Sequence, residues 1–219
     1  MATDGDGGAR HTLTGLLVDF GGVLTTNVFQ SFRAFCVAEG LKPDAFVDLL
    51  RSSDETRAQL RLLETNQITA EEFGGHIGPL LGVADTVGVM DRVFAGLGPE
   101  PAMIEAVRAA RAGGIATGLI SNSVGSNIYD QAVLDELFDA VVISGEVGLH
   151  KPQREIYLLG AERIGRTPER CAFVDDLREN CAGAEAVGMT AVLHRGVERT
   201  LPELEALLGV ALGAGPGSG

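Results

Sequence analysis

From residue 101 to residue 208, short apolar runs and amphipathic stretches alternate without a break. IATGLIS, AVVIS, CAFVDD and TAVLH read as strands; PAMIEAVRAARAGG, SNIYDQAVLDELF, REIYLLGAERIG, ENCAGAEAVG and LPELEALLG read as helices. The strands do not alternate apolar with polar, as they would in a sheet with one wet face. They are apolar throughout, which is the mark of a parallel sheet covered by helices on both sides. TGLLVDF, near the start of the chain, belongs to the same set. The pattern predicts an α/β fold built on a doubly wound parallel sheet.

The stretch from residue 27 to about 99 has a different grammar. It contains no convincing strand, and VFQSFRAFCVAEG, PDAFVDLLR, DETRAQLRLLE, TAEEFGGHIGPLL and DTVGVMDRVFAGL all carry helical spacing. Val28, Phe29, Phe32, Phe35 and Cys36 share one helical face and are expected to pack together. Thr69 followed by Glu72 has the spacing of a capping box, which marks a helix start. The expected organisation is a core of residues 12–26 and 100–208 and an all-helical insertion of residues 27–99. Residues 1–11 and 209–219 are small and polar and are expected to be a disordered start and a flexible tail.

A net charge of −13 excludes the basic surfaces that bind nucleic acid or anionic membranes. No apolar run is long enough to span a bilayer, and the first residues lack the pattern of a signal peptide. Cys36, Cys171 and Cys181 show neither paired nor metal-ligand spacing and read as reduced thiols of a cytoplasmic protein. The expected partner is a small molecule, the chain acting as a monomer or homodimer.

In open α/β sheets, ligands bind beyond the carboxyl ends of the strands. The first strand delivers Asp19 there, the second Ser121 and Asn122, the third leads to Lys151, and the fourth delivers Asp175 and Asp176. Carboxylates from two strands can share a divalent cation, with Mg²⁺ favoured by an all-oxygen set. A lysine and a hydroxyl beside them would hold the charge of a phosphoryl group that Asp19 attacks. Each residue also has a plainer reading: Asp19 as a turn residue, Ser121 and Asn122 as helix caps, Lys151 and the paired acids as solvated surface. The plain reading is preferred for His76, His150, His194 and Glu64, the last expected to be solvated.

Taken in order, DFGGVLT, ISNS, HKP and FVDDLREN resemble the four motifs of the haloacid dehalogenase-like hydrolases, and the resemblance runs from Leu16 to about Leu208. The wording of DFGGVL, FVDD and the later Asn180 is most similar to the phosphatase domain of soluble epoxide hydrolases. The resemblance implies a Rossmann-like core with the helical insertion as a cap, and a Mg²⁺-dependent phosphoric monoester hydrolase acting on a small phosphorylated metabolite. Asp19 would be the nucleophile that becomes an aspartyl-phosphate. Ser121, Asn122 and Lys151 would bind the phosphoryl group, and Asp19, the Gly21 carbonyl, Asp175 and Asp176 would hold Mg²⁺.

One position departs from the pattern. Most phosphatases of this kind carry a second aspartate two residues after the nucleophile, to protonate the leaving alcohol and then deprotonate the attacking water. Here that position is Gly21. General acid–base help is worth roughly 10²- to 10⁴-fold in rate, so its loss leaves two further readings open. One is a non-catalytic phosphate-binding or regulatory protein. The other is a 2-haloacid dehalogenase, against which the retained FVDD acids speak.

Overall fold

A computed structural model describes residues 13–123 and 129–213 of the chain. The expectations for residues 1–11, for most of the tail and for the first part of SNIYDQAVLDELF lie outside the described residues.

The core is a five-stranded parallel sheet of β1 (Gly15–Val18), β2 (Ala116–Ser121), β3 (Ala140–Ile143), β4 (Cys171–Asp175) and β5 (Thr190–Leu193), in the order β3-β2-β1-β4-β5. β1 is central, with Val18 level with Leu119 on one side and Val174 on the other. The chain winds outward from β1 to one edge, then returns to the other side of it. Both faces are covered because successive side chains point to opposite faces. Leu16 and Val18 pack with Met103, Leu134 and Leu204 on one face, while Leu17 packs with Ile156, Tyr157 and Phe173 on the other.

The covering helices are α6 (Pro101–Ala112), α7 (Gln131–Leu137) and α11 (Val197–Leu208) on the first face, and α9 (Arg154–Arg163) and α10 (Arg178–Glu185) on the second. A side-chain carbon on Gly160 would lie 2.5 Å from Ile120 Cδ1, so α9 approaches the sheet closely there and a larger residue would have to displace Ile120. The four-residue α8 (Ser144–Val147) follows β3 directly and was not anticipated.

Five helices occupy the stretch between β1 and α6, and there are no strands among its described residues: α1 (Val28–Ala38), α2 (Ala45–Ser52), α3 (Asp54–Glu64), α4 (Ala70–Leu81) and α5 (Val89–Phe94). They share a core of their own, centred on Phe35, Phe46, Phe73 and Ile77. Phe35 and Cys36 belong to that core and Phe32 packs against it, 4.7 Å from Phe46 ring to ring, as expected; Val28 and Phe29, the latter 5.9 Å from Phe32, lie outside it. The Thr69–Glu72 capping box is present and starts α4. DTVGVMDRVFAGL is helical only over α5, because Gly88 turns the chain in the left-handed region at φ +61° just before it. α7 likewise starts later than periodicity suggests, at the point where the Asp130 carboxylate accepts from Ala132 N.

Entry to and exit from the helical stretch lie side by side. Thr26 N donates to Gly98 O at 2.8 Å and Glu100 N to Leu24 O at 2.8 Å. Among the described residues, no helix is long and apolar enough to cross a membrane.

Candidate active site

Asp19 follows the last residue of β1, with its backbone N–H still donating to Val174 O at 2.9 Å. The sheet ladder therefore continues through the residue and sets the direction of its carboxylate. Asp175 closes β4 next door and Asp176 follows it. The β1/β4 boundary is where the winding reverses, which is where open α/β sheets leave a crevice.

Lys151 crosses this crevice from the loop before α9. Its Nζ lies 2.7 Å from Asp19 Oδ1 and 2.7 Å from Asp175 Oδ2, and the residue is only 3% exposed. Asp175 is further held by Leu177 N at 2.8 Å and by the Asn180 amide at 3.0 Å. Asp176 makes its closest approach to the loop after Asp19. A side-chain carbon on Gly22 would sit 2.5 Å from Asp176 Oδ2, and Gly22 has φ +75°. Only glycine meets both conditions.

Oxygens of Asp19, Asp175 and Asp176 gather within 4.8 Å of one another. Three buried carboxylates thus face a single ammonium, and the excess negative charge shows in their titration. Burial pushes the Asp19 carboxyl up to about 7 against the pull of Lys151, with Asp175 and Asp176 adding to the rise. Burial and Asp175 push Asp176 up to about 6. Lys151 is held above its usual range: burial works against its charge, but Asp19 and Asp175 outweigh it. A divalent cation would relieve the imbalance, and an all-oxygen set suits Mg²⁺. Asp175 is already committed to Lys151 and Asn180. Asp19, Asp176 and the Gly21 carbonyl are the freer donors.

Ser121, the last residue of β2, shares a hydrogen bond of 2.8 Å with the Tyr129 hydroxyl, and the Tyr129 ring lies 4.7 Å from that of Phe20. Asn122 faces Lys151 with both ends of its amide: Nδ2 donates to Lys151 O at 3.1 Å, and Oδ1 accepts from Lys151 N at 2.8 Å. Neither residue caps α7, whose cap is Asp130. Asn122 holds the lysine loop in place.

All six side chains singled out in the sequence therefore meet at one rim. Gly21, Asp19, Ser121, Asn122, Lys151 and Asp176 line a cavity of about 440 Å³ that extends beneath the helical stretch. Its upper wall is mostly apolar, with Phe29, Phe32, Phe46, Leu60, Met90 and Phe94 among its residues, and it also carries the charged side chains Arg57, Arg61 and Glu64. His76 packs elsewhere, against Thr56 and Phe73, and does not line the cavity. His194 bonds Thr200.

Two lining or supporting residues were not foreseen. Tyr129 carried no motif, and only its place eight residues beyond β2's end, opposite Phe20, gives it a role. Glu64 was expected to be solvated. It is instead half-buried in the cavity wall, because the end of α3 docks on the core where Ser144 Oγ donates to Glu64 O.

Comparison with known proteins identifies the family and the fold. The sequence profile of the haloacid dehalogenase-like hydrolases matches residues 13–188. A glyceraldehyde 3-phosphate phosphatase of Methanopyrus kandleri is 32% identical over 129 residues, covering 57% of this chain and 55% of that one. Acyl-CoA dehydrogenase family member 10 of Mus musculus is 28% identical over 224 residues, covering 95% of this chain and 21% of that protein. The chain thus spans about half the length of the first relative and about a fifth of the second. A solved family enzyme of Bacteroides thetaiotaomicron, in complex with magnesium and inorganic phosphate, superposes with a TM-score of 0.60 at 20% identity, covering 84% of this chain and 94% of that one. With the profile matched over most of its length, from β1 into the turn before β5, this chain belongs to the haloacid dehalogenase-like hydrolases.

Proposed function

We propose that the chain is a Mg²⁺-dependent phosphatase that transfers a phosphoryl group from a small phosphate monoester to Asp19 and then to water. The observation that carries this reading is the buried Lys151 ammonium 2.7 Å from the Asp19 carboxylate, at a rim where Asp176 adds a second acidic donor. A lone aspartate in that setting would be neutralised. A lysine beside it draws the nucleophile back toward its ionised form and counters the phosphoryl oxygens at the same time.

Lys151 and Phe20 N both bind Asp19 Oδ1, which leaves Oδ2 to attack phosphorus. Lys151 and the Ser121 hydroxyl take up charge on the phosphoryl oxygens. Asn180 and Leu177 N hold Asp175, which in turn keeps Lys151 aimed at Asp19. Mg²⁺, held by Asp19, Asp176 and the Gly21 carbonyl, would supply further charge neutralisation. The phenylalanine-lined part of the upper wall receives the alcohol part of the substrate, so a phosphate monoester with an apolar or aromatic portion is the class that fits. The helical stretch then acts as the cap that closes over it. The three buried free thiols suit a reducing compartment, and on that ground we place the enzyme in the cytoplasm.

Phosphate release from p-nitrophenyl phosphate with and without Mg²⁺ tests the reading. Multiple turnovers that require Mg²⁺ and vanish in Asp19→Asn are expected. Metal-independent halide release from a 2-haloacid, with no phosphatase activity, would replace it with the dehalogenase reading. The regulatory reading rests on Gly21 alone and predicts phosphate binding without turnover.

A further inference from the structure

We infer that Glu64, at the end of α3, is the acid–base residue of this site and stands in for the carboxyl that Gly21 lacks. The inference rests on the phosphatase reading above and names the group that moves its protons.

The geometry carries it. Asp19 attacks from the floor of the cavity, and in-line displacement places the leaving oxygen on the far side of phosphorus. That side is the wall made by the helical stretch, and Glu64 belongs to that wall. Its main chain is anchored to the core: Ser144 Oγ donates to Glu64 O and accepts from Ser123 N at 2.7 Å, so the end of α3 and the end of β2 hang on one hydroxyl. The carboxyl reaches the Asn122 amide, the same group that holds Lys151.

The charges around Glu64 suit a group that must both give and take a proton near neutrality. Burial pushes its carboxyl up to about 7, Lys151, Asn122 and Arg61 pull the other way, and Glu179 adds to the rise. The remaining cavity groups are poorer candidates. Arg57 and Arg61 do not give up protons. Tyr129 is pushed up to about 12 by burial and is bonded to Ser121, so it cannot serve as the base. Glu179 is exposed. His150 has its Nδ1 on Lys151 O at 3.0 Å.

The protons balance through the cycle. In the first step the Glu64 carboxylic acid gives its proton to the ester oxygen as the phosphorus–oxygen bond breaks and Asp19 takes the phosphoryl group. In the second, the Glu64 carboxylate takes a proton from water as that water attacks phosphorus, Asp19 leaves as a carboxylate, and the Glu64 acid is restored. The sum is ester plus water to alcohol plus phosphate.

The test compares n-butyl phosphate, whose leaving group needs a proton, with p-nitrophenyl phosphate, whose leaving group does not, in Glu64→Gln, His150→Asn and Gly21→Asp/Glu64→Gln. For Glu64→Gln, kcat/KM on n-butyl phosphate is expected to fall by roughly 10²- to 10⁴-fold, and the decline of activity above about pH 7 is expected to disappear. On p-nitrophenyl phosphate the same variant is expected to give a burst of p-nitrophenol and then a slow phase, since only hydrolysis of the phosphoenzyme has lost its base. The double variant is expected to regain turnover of both substrates. Unchanged rates and pH profile in Glu64→Gln, with an active wild type, would overturn the inference alone, as would a loss confined to His150→Asn. Loss of the burst as well as of turnover would also overturn it, by showing that Glu64 builds the site and moves no proton. A wild type without turnover on either substrate would overturn both the inference and the phosphatase reading.

Discussion

Glu64 is the residue at which sequence and structure differ most. It ends α3, followed by the polar Thr65, Asn66 and Gln67, and local pattern makes it a solvated helix end. In the folded chain it loses water and gains Lys151 and Asn122, and the loss of water is the larger effect. Its titration then bears on stability. A carboxyl raised from 4.5 to about 7 binds more protons in the folded state than in the unfolded state between those values. Stability therefore falls as pH rises through that window, and the penalty is fully present above it. Denaturant unfolding of wild type and Glu64→Gln at pH 5 and pH 8 is expected to show the variant gaining relative to wild type at the higher pH. Equal differences at both values would mean that Glu64 titrates as an ordinary surface acid. Gly21 shows the opposite relation between sequence and structure. Its missing side chain was plain from the motif, and the structure adds that a carbon placed there would lie 3.1 Å from Val28 Cγ2, so Gly21→Asp requires the start of α1 to give slightly.

At the scale of elements, the strands were legible because a doubly covered parallel sheet leaves a simple mark, a short run with no polar side. β1 to β5 all fall within the runs expected, and Leu16/Leu17 divide between the two faces as their alternation requires. Helix starts were legible where a side chain makes them. Thr69 Oγ1 accepts from Glu72 N at 3.1 Å, and Glu72 Oε2 accepts from Thr69 N at 2.7 Å. Thr69→Ala is expected to cost about 1 kcal/mol in denaturant unfolding, with no change in the strands of the core. A cost near zero would mean that Phe73 and Ile77 hold α4 in place without its cap. Elements whose limits depend on a glycine in the left-handed region or on a tertiary contact, such as α5 after Gly88 and the short α8, were not legible.

Over the whole molecule, the main electrostatic fact is three buried carboxylates against one buried ammonium. Such a cluster opposes folding until a cation joins it. Mg²⁺ at about 100 times its dissociation constant is expected to stabilise the chain by about 2.7 kcal/mol, read as a rise in Tm, and Asp176→Asn is expected to remove most of that rise. A Tm insensitive to Mg²⁺ in the wild type would mean that Lys151 alone balances the site. The overall acidity of the chain is consistent with this local arrangement, because the one buried cation among the described residues is placed where an anionic ligand needs it.

The sequence by itself determined the sheet, its double covering, the helical stretch after β1 and the rim residues Asp19, Ser121, Asn122, Lys151, Asp175 and Asp176. The sheet, its covering and the helical stretch follow from short-range periodicity, the acids with Ser121 and Asn122 from what stands at a strand's carboxyl end, and Lys151 from the HKP motif. Tertiary structure alone decided that Asn122 clamps the main chain of Lys151, that Tyr129 reaches Ser121, and that Glu64 lies in the cavity wall. The reason is physical. Two of those outcomes are contacts between segments far apart in the chain and the third joins the two ends of a loop, all set by how α3 docks on Ser144 and how the loops pack over the sheet, and burial on that docking changes a carboxyl's chemistry without leaving any trace in the local pattern.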